Sequence, residues 1–85
     1  MATIKTYRVS LGRHLQQIRQ ECGISQEELA ARAGLSRVYI GYLEQGTRTA
    51  SLETLLKLSE VFEVSMSALF DFTWEEEPGL VEYES

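Results

Sequence analysis

Residues 26–45 read QEELAARAGLSRVYIGYLEQ, and their spacing describes two short helices meeting over a tight turn. Just upstream, Ser25-Gln26-Glu27-Glu28 fits a capping box, in which the Ser25 hydroxyl and the Glu28 carboxylate each satisfy an orphaned backbone N–H. The helix it opens carries Leu29, Ala30 and Ala33 inward. Two helices that cross steeply need a small residue where they touch, and Ala30 supplies it. The turn needs a residue free to take positive φ, and Gly34 does so without strain. Ser36 then caps a helix anchored by Ile40 and Leu43, which leaves Arg37, Val38, Gly41 and Tyr42 nearer the opposite face and stops at Gly46. An ordinary helical hairpin demands fewer of these features at once.

The same punctuation extends outward. Leu11, Leu15, Ile18 and Cys22 recur at helical spacing, with Ser10 as cap and Gly23 beyond the end. Ser51 caps a further helix with Leu52, Leu55, Leu56 and Phe62 on its main face and Leu58 and Val61 flanking it. Ser65 or Ser67 starts a short fifth turn through Met66, Leu69 and Phe70. The expected architecture is all-α: five helices over residues 10–71, with the two-helix motif at 26–45. Thr3–Val9 alternates β-branched and aromatic residues, so residues 1–9 read as an arm or a short strand. Residues 72–85 read as an acidic tail, where Glu75-Glu76-Glu77-Pro78-Gly79 breaks structure and Leu80-Val81-Glu82-Tyr83-Glu84 alternates again. The alternative for both ends is simple fraying.

Composition narrows the classes of function. At 85 residues the chain is one domain. It holds no apolar run near the ~18 residues of a membrane span, and MATIKTYRVS lacks a signal peptide's apolar stretch, so a cytoplasmic protein is expected. Cys22 is the sole cysteine and His14 the sole histidine, which excludes an internal disulfide and a Cys/His zinc site. No cofactor or metal is expected. Nor is an enzyme, because there is no acid/base pair and no phosphate-cradling glycine loop.

The net charge of −5 argues against nucleic-acid binding until the chain is divided. Residues 1–50 carry seven Lys/Arg against four Glu, a net +3, whereas residues 51–85 carry one Lys against nine acidic residues, a net −8. Screening over roughly 8 Å at physiological salt lets the basic half face a polyanion.

The stretch LGRHLQQIRQECGISQEELAARAGLSRVYIGYLEQGTRTASLETLLKLSEVFEVSMSALF, residues 11–70, resembles the Cro/CI-type (XRE) helix-turn-helix repressors of phage and bacteria. SQEELA, AGLS, LEQGTR and SLETLLKLSE followed by VSMSALF carry the resemblance. Within the family, SRVYIGYLEQGTR is similar to the restriction–modification controller proteins. The resemblance implies a lambda-repressor-like DNA-binding domain acting as a homodimer, with its third helix in the major groove of a palindromic double-stranded operator.

Residue by residue, the resemblance implies base contacts from Ser36, Arg37, Val38 and Tyr42. Arg37 has the fork that guanine O6 and N7 accept, and Val38 suits a thymine methyl. It implies phosphate contacts from Arg19, Gln26, Tyr39, Gly46, Thr47, Arg48 and Thr49, with Gly46 offering a free backbone N–H. Arg19 and Glu44 match a pair that bridges the first helix to the third. Dimers of this family meet through the last helices, which here hold Met66, Leu69, Phe70, Phe72 and Trp74; the alternative for Phe70, Phe72 and Trp74 is to cap the monomer's own core. Opposite charges on the two alternating ends suit them to pair as a β element extending that interface.

Two features depart from the pattern. Gly41 interrupts the recognition helix at a cost of ~1 kcal/mol relative to alanine, and either admits the DNA backbone closely or only loosens the helix. The acidic tail is the other, and it motivates the competing reading: an antitoxin-like or anti-regulatory module whose tail binds a basic partner. Cys22 reads as a small core residue and His14 as a surface or partly buried one.

Overall fold

Every helix begins at a hydroxyl. Thr3, Ser25, Ser36 and Ser51 hold extended backbone and accept, through their side chains, the N–H three residues on, at 3.1, 3.0, 3.1 and 3.1 Å. These bonds satisfy donors that a helix start leaves orphaned. The structure, a computed structural model, describes residues 3–73. They form α1 (Ile4–Glu21), α2 (Gln26–Ala33), α3 (Arg37–Gln45) and α4 (Leu52–Phe62), then a 3-10 turn at Ser67–Phe70.

The fold is all-helical, with four α-helices where five were expected and no strand among the described residues. The fifth element is only the 3-10 turn, opened by Ser65, whose Oγ accepts the Ala68 N–H at 3.2 Å. The expected strand at Thr3–Val9 is instead the first two turns of α1. Three observations account for it. Thr3 caps the helix and its hydroxyl also meets that of Thr6 at 2.9 Å. Thr6 and Ser10 are buried, and Tyr7 packs against the core. The apolar stripe therefore begins at Tyr7 and runs through Leu11, Leu15 and Ile18, and burial along it outweighs the few tenths of a kcal/mol by which β-branched residues disfavour helix. Ser10 is accordingly a buried mid-helix residue, not a cap. The other half of the expected β element, Leu80–Tyr83, lies outside the described residues.

The core joins Leu11, Leu15 and Ile18 of α1 to Leu29, Ala30 and Ala33 of α2, Ile40 and Leu43 of α3, Leu55, Leu58 and Phe62 of α4, and Leu69. Ala30 is buried at the α2–α3 crossing, where the sequence asked for a small residue. Two assignments change. Cys22 is exposed, because α1 ends at Glu21 and Cys22 only caps it. On α4 the buried face is Leu55, Leu58 and Phe62, while Leu52 and Leu56 face solvent at 71% and 48% exposure. His14 ties α1 to the 3-10 turn: its Nε2 lies 2.8 Å from the Ala68 carbonyl and its ring 5.6 Å from Phe72.

Candidate nucleic-acid interface

The outer face of α3 is built by what its inner face must bury. Ile40 and Leu43 are 1% and 3% exposed, so helical geometry turns Arg37, Val38 and Tyr42 outward, the last two 55% and 40% exposed. Ser36 stands at the N-terminal end of this face, its oxygen engaged by the Tyr39 N–H. Tyr39 is half-buried against the core edge. The structure thus brings Ser36, Arg37, Val38 and Tyr42 onto one exposed surface, ten to sixteen residues past the start of the motif.

Behind that surface, Glu44 is buried and acts as a hub. Arg19 Nε donates to Glu44 Oε2 at 2.7 Å and Nη2 to Oε1 at 3.2 Å, a two-pronged bridge from α1. The Gln26 side-chain amide donates to Glu44 Oε1 at 2.9 Å, which fixes the amide's orientation because a carboxylate can only accept. Arg19 Nη1 also donates to the Ile24 carbonyl at 2.8 Å, closing the turn between α1 and α2. One carboxylate therefore ties α1, α2 and α3 together. The Arg19 side chain is 11% exposed and gives three of its five N–H donors to Glu44 and Ile24, so its geometry serves the bridge. The capping box is half-made: Ser25 accepts the Glu28 N–H, but the Glu28 carboxylate pairs with Arg32.

The loop after α3 is stitched to the helix it leaves. Gly46 takes φ +79° and donates its N–H to the Leu43 carbonyl at 3.2 Å. Its N–H is not free for a phosphate, a correction to the expected role. Gly46 is buried, and a methyl group there would lie 2.8 Å from the Val9 Cα. The Thr47 N–H and hydroxyl both donate to the Tyr42 carbonyl, at 3.0 and 3.2 Å. Arg48 lays its guanidinium over the Tyr42 ring, 5.2 Å from the centroid. Thr49 is exposed beside it. Thr47, Arg48 and Thr49 thus flank the C-terminal end of the α3 face.

The expected dimer residues divide. Leu69 is fully buried in its own core and cannot meet a partner; Met66 and Phe72 are half-buried against the core, Phe70 is 39% exposed, and Trp74 lies outside the described residues. Two features went unread. Leu52 and Leu56, one turn apart on α4 and expected on its inner face, are exposed instead. Gly12 is where α1 crosses α3: a Cβ there would stand 2.3 Å from the Leu43 carbonyl oxygen. A lone glycine within an apolar helical stripe was the available signal.

Among the described residues no helix is long and apolar enough to cross a membrane, and no His/Cys/Asp/Glu group could hold a metal ion. The sequence pattern of the helix-turn-helix family matches residues 15–69. The chain is 40% identical over 67 residues to control protein C.BamHI of Bacillus amyloliquefaciens, covering 78% of this chain and 83% of that protein. The fold superposes on the restriction–modification controller protein C.AhdI of Aeromonas hydrophila with a TM-score of 0.74 and 39% identity, over 75% of this chain and 97% of that one. It also superposes on the biofilm regulator SinR solved in complex with DNA, with a TM-score of 0.69 and 35% identity, over 72% and 98% of the two chains.

Proposed function

The chain belongs to the Cro/CI-type (XRE) helix-turn-helix family, and from that premise we propose that it regulates transcription as a homodimer on a palindromic operator, with α3 in the major groove. Its relatives are transcriptional regulators, not enzymes, and a DNA-binding regulator is the class it shares with them. The observation that carries the finer reading is the exposed face of α3. Arg37 and Val38 stand there unburied at the helix start, on a helix held rigid from behind by Glu44.

In this reading Arg37 grips a guanine edge, Val38 meets a thymine methyl and Ser36 sits at the groove entrance. Gln26 keeps one amide N–H beyond the bond to Glu44 and offers it, with the N-terminus of α2, to a phosphate. The hydroxyls of Tyr39 and Thr49 and the guanidinium of Arg48 hold the backbone on either side, while Thr47, whose N–H and hydroxyl both go to the Tyr42 carbonyl, fixes the loop between them. Self-association uses the exposed apolar residues Leu52, Leu56 and Phe70.

Selection of bound duplexes from a random pool, followed by footprinting, tests the reading. A palindrome should emerge with half-sites about 10–10.5 bp apart or a multiple of it. Affinity should fall steeply with salt as neutralised phosphates release their counterions. No discrete protected site, or affinity indifferent to salt, overturns it.

A further inference from the structure

Tyr42 holds the loop after α3 twice. Its carbonyl accepts both the N–H and the hydroxyl of Thr47, and its ring carries Arg48. The ring is 40% exposed, so it is not spent on the core. At 5.2 Å from the centroid, the guanidinium carbon is within the ~6 Å over which a ring face attracts a cation. An arginine stacked on an aromatic face keeps its N–H donors in the plane of the guanidinium and pointing outward. We propose that Tyr42 is a positioning residue: its ring seats the Arg48 guanidinium in advance, presenting a planar, oriented donor fork to a DNA phosphate beside the recognition helix, and it does not itself read a base.

This inference rests on the DNA-binding reading above and replaces the base contact that the family resemblance implied for Tyr42. The physical gain is pre-organisation. A free arginine loses side-chain freedom when it closes on a phosphate, and a guanidinium already stacked loses less, a difference worth about two- to tenfold in affinity. The effect is blind to base sequence because a phosphate carries none. Side-chain substitution at Tyr42 isolates the ring, since the carbonyl that holds Thr47 belongs to the backbone and remains.

The test has a DNA-free arm and a DNA arm. By NMR of the free protein, the Arg48 side-chain protons should show an upfield ring-current shift. It should survive Tyr42→Phe and vanish in Tyr42→Leu. On a short mixed-sequence duplex, Tyr42→Leu should weaken binding about two- to tenfold and Tyr42→Phe should leave it near the parent value. Arg48→Ala should weaken it further, and the double variant Tyr42→Leu/Arg48→Ala no more than Arg48→Ala alone. Circular dichroism of each variant guards against unfolding. No ring-current shift in the parent protein overturns the seat, as does additive loss in the double variant. A loss in Tyr42→Phe equal to that in Tyr42→Leu assigns the role to the hydroxyl and also overturns it. A ring-current shift present in a protein that binds no duplex fails the DNA reading instead, and with it the phosphate role assigned to Arg48.

Discussion

Glycines of the same backbone class differ here by what surrounds them. Gly46 combines φ +79° with Val9 backbone 2.8 Å from where a Cβ would sit, whereas Gly34, at φ +69°, has open space. Gly34→Ala should cost about 1–2 kcal/mol from the left-handed conformation alone. Gly46→Ala should cost clearly more, because α1 must also give way, with overpacking adding about 1–3 kcal/mol. Gly41 is helical with nothing within 4 Å, so Gly41→Ala should stabilise by about 1 kcal/mol. Urea unfolding of the three variants should give that order; equal losses at 34 and 46 would show that the α1 contact is soft. Unchanged DNA affinity in Gly41→Ala decides that the glycine only loosens α3, and a loss decides that it admits the DNA backbone. On the same helix, Arg37→Ala should lose roughly 1–3 kcal/mol on the selected duplex and relax one base pair per half-site. Competition with single-base variants of that duplex measures it, and undiminished discrimination at every position would remove Arg37 from the base readers.

Between elements, charge matters where it is buried. The Arg19–Glu44 bridge, with side chains 11% and 3% exposed, joins α1 to α3, while the Arg32–Glu28 pair lies one turn apart on the surface of α2. Glu44→Ala strands a buried guanidinium and the Gln26 amide, and should destabilise by about 3–5 kcal/mol. Arg32→Ala should cost no more than about 0.5 kcal/mol. The pair of replacements Arg19→Met/Glu44→Leu should recover much of the Glu44→Ala loss, since removing both charges removes the unpaired one. Thermal unfolding separates these cases. If the double replacement is as damaging as Glu44→Ala, packing around the bridge and not its charge holds the helices. The hub is partly legible in the sequence: Arg19 and Glu44 can be paired by resemblance, but Gln26 as a third member cannot, because nothing local predicts which of its neighbours a glutamine will choose.

For the whole molecule, the proposed self-association surface lies on α4. Leu52 and Leu56 expose an apolar stripe among the described residues, and Phe70 adds to the exposed apolar surface. Leu52→Gln/Leu56→Lys should weaken the monomer–dimer constant measured by sedimentation while leaving the helical signal intact, since both substituents suit a helix. The same variant should bind the selected palindrome far more weakly than it binds a single half-site relative to the parent, because the two half-sites lose their linkage. An unchanged constant would move the interface elsewhere. The division of charge, +3 over residues 1–50 and −8 over residues 51–85, agrees with this polarity, since the described basic residues Arg37 and Arg48 flank the α3 face.

What the sequence determined by itself is what local chemistry decides. A hydroxyl at Ser25, Ser36 or Ser51 caps a helix start wherever the chain goes, and Gly34 and Gly46 end helices because their neighbours cannot take positive φ cheaply. The 26–45 motif was therefore readable to within a residue. Burial, by contrast, depends on residues distant in sequence. Thr3–Val9 is helix because Thr6, Tyr7 and Ser10 find burial, which a β-leaning composition conceals. Leu55 and Leu58 turn inward and Leu52 and Leu56 outward because α4 packs on α2 and can present only one stripe to the shared core. Gly12 matters only once α3 lies across it. Caps read their own neighbours a few residues away, whereas burial reads the whole chain, and that difference in range separates the two.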